Sequence, residues 1–182
     1  PEVNETDYDD IPAEGKRFRK KGDDIRHKTD SAWQDVRKAY LACISWSDYN
    51  IGRVLDALEQ SDYADNTIVI LWSDHGFHLG EKLTFRKFTL WEEANRVPFV
   101  IYDPRNKASQ GKTYDLPVSL INVYKTISDF TGLKSPDYVD GESLRPLIDD
   151  TARNLSLPAI TSWGKGNYAV RQESWRYIRY FD

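Results

Sequence analysis

The run Ile68-Val69-Ile70-Leu71-Trp72 constrains this chain more than any other feature. It is continuous, apolar and rich in β-branched residues, a composition that suits a strand buried on both faces, as in a parallel sheet. The run stops abruptly at Ser73-Asp74-His75-Gly76. A carboxylate, an imidazole and a turn glycine therefore stand just past the C-terminal end of a strand. In open α/β sheets ligand sites form at that edge. A second apolar run, Val97 to Tyr102, follows, with Pro98 near its start and Pro104 beyond its end. The polar, aromatic loop between the two runs carries His78, Glu81, Lys82, Arg86 and Lys87.

The 182 residues fit one domain or a large piece of one, and hydrophobic residues at 40% suffice for a core. A net charge of -4 gives no electrostatic case for nucleic acid or an acidic membrane surface. One cysteine excludes an internal disulfide framework. There is no signal peptide and no apolar run of membrane-spanning length. The chain begins at Pro1 and contains no Met, so it reads as the C-terminal portion of a longer polypeptide.

Residues 1–30 hold no hydrophobic period and read as a surface excursion, acidic and then basic from Lys16 to Lys21, with His27 near its end. From Asp30, an N-cap candidate together with Ser31, the apolar positions Trp33, Val36, Tyr40, Ile44, Ile51, Val54, Leu55 and Leu58 predict one amphipathic helix ending near Gln60. Its apolar stripe should pack on the sheet, with an irregularity near Ser47 or Gly52 and Cys43 as a small buried residue. Val118–Phe130 predicts a second helix, with Ile121, Val123, Tyr124, Ile127 and Phe130 facing inward and Gly132 as its C-cap. A short helix over Glu142–Ile148 is expected to break at Pro146. Runs at 157–163, 167–171 and 174–180 suit an antiparallel meander.

The phrase Ser73-Asp74-His75-Gly76, continued by Leu79-Gly80-Glu81, then a lysine, then Arg96-Val97-Pro98 before the second apolar strand, resembles the metal-binding segment of the sulfatase family. The Asp-His pair, where many sulfatases carry Asp-Asn, is similar to the iduronate-2-sulfatase branch. The resemblance implies a type I sulfatase of the alkaline phosphatase superfamily. The fold is then α/β, part of a mixed, mainly parallel sheet flanked by helices, followed by a small C-terminal antiparallel sheet. Residues 1–152 would belong to the catalytic domain, and 153–182 would start a truncated antiparallel subdomain.

The same resemblance implies hydrolysis of sulfate esters through a formylglycine nucleophile that lies outside this chain. Cys43 lacks the proline at +2 and the arginine at +4 of the family's nucleophile motif. Asp74 and His75 become metal ligands for Ca²⁺, or Mg²⁺, with the remaining ligands on the N-terminal part of the enzyme. Lys87 becomes the catalytic, sulfate-facing cation. Arg86 and His78 are further substrate-contact candidates, and Lys82 is a neighbour able to do the same work. His78 has other readings, as a second ligand, a residue supporting the ligands or a surface residue. Glu81 would fix the loop by accepting backbone hydrogen bonds, and Gly76 and Gly80 would answer backbone requirements. Asn167, Tyr168 or Arg171 would touch a sugar, or be ordinary strand residues.

The implied partners are a sulfated small molecule or glycan and the N-terminal part of the same enzyme. The implied location is periplasmic, secreted or lysosomal. One rival is a two-metal phosphodiesterase or phosphatase of the same superfamily. It requires a metal histidine well downstream, and no histidine follows His78. A second rival is a non-catalytic homologue that binds a sulfated glycan.

Overall fold

The structure is a computed structural model that describes residues 4, 6–19, 29–150 and 153–181. It forms two compact units, the first running to Arg105 and the second spanning Asn106–Phe181. The boundary expected at 152 falls within the second unit, ahead of its sheet. His27 and the end of the basic cluster lie outside the described residues.

In the first unit the short helix α1, Ala13–Lys16, is followed by the long helix α2, Asp30–Glu59. The cap of α2 is Thr29, one residue before the expected candidates; its side chain accepts a hydrogen bond from the backbone of Ala32 at 3.3 Å. A β-hydroxyl one residue ahead of the first turn satisfies an N–H that the helix itself leaves unpaired. The helix runs without interruption past Ser47 and Gly52.

The first turns of α2 pack on the polar loop. Trp33 meets Phe85 edge-to-face at 4.4 Å, Tyr40 stacks on Phe77 at 5.5 Å, and Arg37 donates from Nε to the Leu79 carbonyl at 3.1 Å. Further along, Leu41, Ile44, Val54 and Leu55 are exposed, as is Cys43. The expected packing of the whole apolar stripe on the sheet, and the burial of Cys43, are therefore not what the chain forms. The anchoring aromatic residues sit at the N-terminal end of the helix and engage the loop.

Strand β1 is Val69–Trp72 and strand β2 is Phe99–Tyr102, with the four-residue helix α3, Glu92–Asn95, before β2. The two strands pair antiparallel, with Val69 opposite Tyr102 and Trp72 opposite Phe99. The apolar run suggested a strand within a parallel sheet and buried on both faces. Here Leu71 and Trp72 are exposed, as are Val100 and Tyr102. Parallel neighbours need a crossover that returns along the sheet. Residues 73–98 instead fold back beyond the strand ends, and β2 returns in the opposite direction. The core of this unit lies off the sheet, around Leu90, Trp91, Ala94 and Ile11.

Residues 6–19 are not a loose excursion. Ile11 is buried, Tyr8 meets Trp91 edge-to-face at 6.4 Å, and the Tyr8 hydroxyl donates to the Lys16 carbonyl at 2.7 Å. Lys16 and Arg19 both lie over the Tyr8 ring. These basic side chains are thus used in packing the segment.

In the second unit the helix α4, Asn122–Thr131, ends at Gly132 in the left-handed conformation, as the sequence predicts. Its burial pattern departs from the expected one, with Val123 and Phe130 only half-buried. Asn122, Thr126 and Ser128 are buried, while Ile121, Tyr124 and Ile127 are exposed. The cause is a polar seam. Asn122 donates to the Glu142 carbonyl at 2.8 Å, and Thr126 Oγ1 accepts from the Leu144 backbone at 2.9 Å. Helix α5, Arg145–Asp149, follows. Pro146 lies in its first turn, where no N–H is required, so it starts the helix and does not break it.

Strands β3 (Ala159–Ser162), β4 (Tyr168–Gln172) and β5 (Trp175–Arg179) form the expected antiparallel meander, in the order β3-β4-β5. Ala169 at its centre is buried. The architecture is thus mixed α/β with a small antiparallel sheet at the C-terminal end.

Candidate active site

β1 ends at Trp72, and the chain turns at once. Ser73 Oγ donates to the His75 carbonyl at 2.8 Å and holds this turn. His75 Nδ1 lies 2.9 Å from the Gly76 carbonyl, so it carries the proton and donates. The lone pair is then on Nε2, which faces outward. Two groups meet it there: Lys87 Nζ at 2.6 Å and Asp74 Oδ2 at 3.4 Å. The Asp74 side chain is 82% exposed. Three of the residues singled out from sequence are therefore convergent, although Lys87 lies twelve positions beyond His75.

The approach of Lys87 depends on the loop between them. The His78 backbone donates to the Arg86 carbonyl at 2.9 Å, and Gly80 donates to the Thr84 carbonyl at 3.0 Å. These two bonds form the rungs of a tight, hairpin-like loop. Leu79 N–H donates to Glu81 Oε2 at 2.7 Å, so Glu81 fixes the loop as expected.

Gly80 has φ of +126°, and a Cβ placed there would come within 1.9 Å of the Trp33 ring. Gly76 donates to the Ala94 carbonyl at 2.9 Å, and a Cβ on it would come within 1.9 Å of the Glu93 carbonyl oxygen. Both positions exclude any side chain, and together they seat the loop between α2 and α3.

His78 is not a ligand-facing residue. It is fully buried, with Nε2 2.8 Å from Thr89 Oγ1 and its ring edge-on to Trp91 at 5.5 Å. Burial lowers its pKa to about 4, so the ring is neutral at neutral pH. The substrate-contact and surface readings of His78 are corrected by that burial. Its Nδ1 lies 3.7 Å from Glu93 Oε2.

Lys82 is engaged elsewhere: Nζ reaches Asp7 Oδ1 at 2.6 Å and the Asp7 carbonyl at 2.7 Å, and the Lys82 backbone donates to Asp7 Oδ2. Arg86 is half-buried beside Lys87. In the second unit Arg171 donates to the carbonyls of Glu173 and Trp175, and Asn167 accepts from the Phe181 backbone. Both are used in holding the sheet, and Tyr168 is the exposed one of the three. Sequence reasoning missed Asp7, Thr89 and Glu93. For Asp7 no local signal exists, since its partner lies 75 positions away.

The pair Asp74 and His75 fits a divalent cation in part. The outward imidazole nitrogen already accepts from a positively charged group, and a carboxylate oxygen stands beside it. An oxygen-plus-imidazole pair suits such an ion. Among the described residues no group of three or more His, Cys, Asp or Glu side chains could hold a metal.

The model of the Sulfatase family matches residues 5–133. A sulfatase of Formosa agariphila is 43% identical over 150 residues, covering 82% of this chain and 29% of its own length. An N-acetylglucosamine-6-O-sulfatase of Bacteroides thetaiotaomicron is 33% identical, covering 87% of this chain and 31% of its own. Among solved structures, BT4656 in complex with its substrate D-glucosamine-2-N,6-O-disulfate superposes with a TM-score of 0.74 at 30% identity, over 83% of this chain and 33% of that one. The chain thus spans about three-tenths of the length of the curated relatives it matches. With the site's geometry and the matched span in agreement, the chain belongs to the sulfatase family.

Proposed function

We propose that the complete enzyme hydrolyses sulfate esters of a sulfated sugar, and that this chain supplies the half of its active site built on Asp74, His75 and Lys87. The observation that carries the reading is the meeting of Asp74 Oδ2 and Lys87 Nζ at the outward nitrogen of His75. Asp74 and His75 would hold one divalent cation, Ca²⁺ or Mg²⁺. A bound cation supplies Lewis-acid stabilisation of negative charge on sulfuryl oxygens. Lys87 places a fixed positive charge beside it, aimed at charge that develops as the ester bond breaks. Arg86, next in the chain, is a further cation for the sulfate. The nucleophile, a formylglycine, would come from outside these residues, with the other metal ligands.

The Asp-His pair supports assignment to the iduronate-2-sulfatase-like branch. The exposed faces of β1 and β2 support their place in a larger, mainly parallel sheet. In that arrangement residues 1–152 belong to the catalytic domain and 153–182 to a C-terminal antiparallel subdomain. The relatives' names support a sulfated glycan as substrate. The family resemblance supports a periplasmic, secreted or lysosomal location; among the described residues no helix is long and apolar enough to cross a membrane.

The test is sulfate release by the complete enzyme from sulfated glucosamines and from p-nitrophenyl sulfate, against p-nitrophenol release from a p-nitrophenyl phosphodiester. Sulfate release dominating supports the reading. Dominant phosphodiester cleavage with two bound metal ions supports the two-metal rival, and no turnover of any ester supports a glycan-binding homologue.

A further inference from the structure

We propose that His78 is a positioning residue for Lys87, acting from beneath the site and never touching substrate. The inference rests on the reading of Lys87 given above. His78 grips the chain on both sides of Lys87. Its backbone donates to the carbonyl of Arg86, immediately before the lysine, and its ring bonds to the hydroxyl of Thr89, two residues after it. Between those two anchors Phe88 adopts φ of +65°, a conformation that L residues rarely take. The turn so formed leads the Lys87 side chain across the Phe88 ring, with Nζ 5.3 Å from its centroid, to His75 Nε2.

The anchors are themselves immobilised. His78 and Thr89 are 0% and 4% exposed, so no water competes for their bond. Trp91 closes on the imidazole edge, and Asn95 donates to the Trp91 carbonyl at 2.8 Å. A residue that merely filled the core would need neither the second anchor nor a polar ring. The imidazole is short and planar, and its far nitrogen reaches Thr89 from a backbone already bonded to Arg86. Replacing it with an apolar ring keeps the volume and releases one side of the turn. Groups that orient a catalytic side chain from behind change rates by about 10–100-fold when removed.

The experiment is a double-mutant cycle in the complete enzyme, with turnover, bound metal and thermal midpoint read together. His78→Phe and, independently, Thr89→Val should each lower kcat by about tenfold or more, with KM changed less and metal content unchanged. His78→Gln, whose amide reaches Thr89, should recover part of the loss, as should Thr89→Ser relative to Thr89→Val. In a Lys87→Ala background neither His78→Phe nor Thr89→Val should lower kcat further. Equal losses with and without Lys87 would overturn the proposal and assign both residues to general packing, and so would wild-type kcat in both single variants. If Lys87→Ala alone keeps wild-type kcat, the underlying reading of the site fails, and the positioning role fails with it.

Discussion

A neutral imidazole sealed under the site makes stability depend on pH in a calculable way. His78 titrates near 6.5 when unfolded and at about 4 in the folded chain, because burial penalises the charged ring. Between these values the unfolded state binds the proton and the folded state does not. Stability therefore falls as pH falls through that window. The contribution is fully present above about pH 6.5 and gone below about pH 4. Two and a half units at 1.36 kcal/mol each set its size at about 3 kcal/mol. A cooperative unit of 150–250 residues would shift its midpoint by about 6–12 °C for this energy, and the longer complete enzyme shifts by less. The assay compares thermal midpoints of the complete enzyme and its His78→Gln variant at half-unit steps from pH 7.5 to 4. Other titrating groups contribute to both proteins and cancel in the difference. The wild-type advantage should shrink by most of that span between pH 6.5 and 4. A difference that stays constant across the range would refute the claim that His78 is buried and uncharged.

Gly80→Ala places a Cβ against the Trp33 ring at φ of +126°, and should destabilise by about 2–4 kcal/mol from strain and overpacking together. Denaturation of Gly80→Ala with and without Trp33→Ala checks it, since removing the ring should relieve the steric share. Lys87→Ala should lower kcat by about 10²-fold or more and shift stability by less than about 0.5 kcal/mol, measured by steady-state kinetics and thermal melts. Lys82→Ala removes the tie to Asp7, whose side chain is one-third exposed. It should cost about 1–2 kcal/mol and raise hydrogen exchange across residues 6–19, while turnover stays at the wild-type level.

The convergence of Asp74, His75 and Lys87 was legible in the sequence because these residues cluster around one strand end. An apolar run broken by Asp-His-Gly places two side chains at a sheet edge whatever the sheet's topology, and the loop that follows returns Lys87 by its own short-range hydrogen bonds. Helix ends were legible for the same local reason, as at Gln60 and Gly132, whereas the cap of α2 fell one residue before the expected candidates. What failed was burial. The sequence pattern of α4 marks Ile121, Tyr124 and Ile127 as inward, yet Asn122 and Thr126 face the 142–147 segment because their side chains have backbone groups to satisfy there. His78 is a similar case, since a polar residue in a loop between two glycines gives no sign of its depth. That depth is set by Trp91 and Thr89 closing over it, contacts that no periodicity reports.

Metal content tests the central claim most directly. The complete enzyme and its Asp74→Asn variant, each dialysed against trace calcium, are compared by elemental analysis, with folding verified by circular dichroism. The account predicts one bound divalent ion per wild-type molecule, and loss of both the ion and sulfate release in the folded variant. An equally loaded, equally active Asp74→Asn enzyme would contradict it.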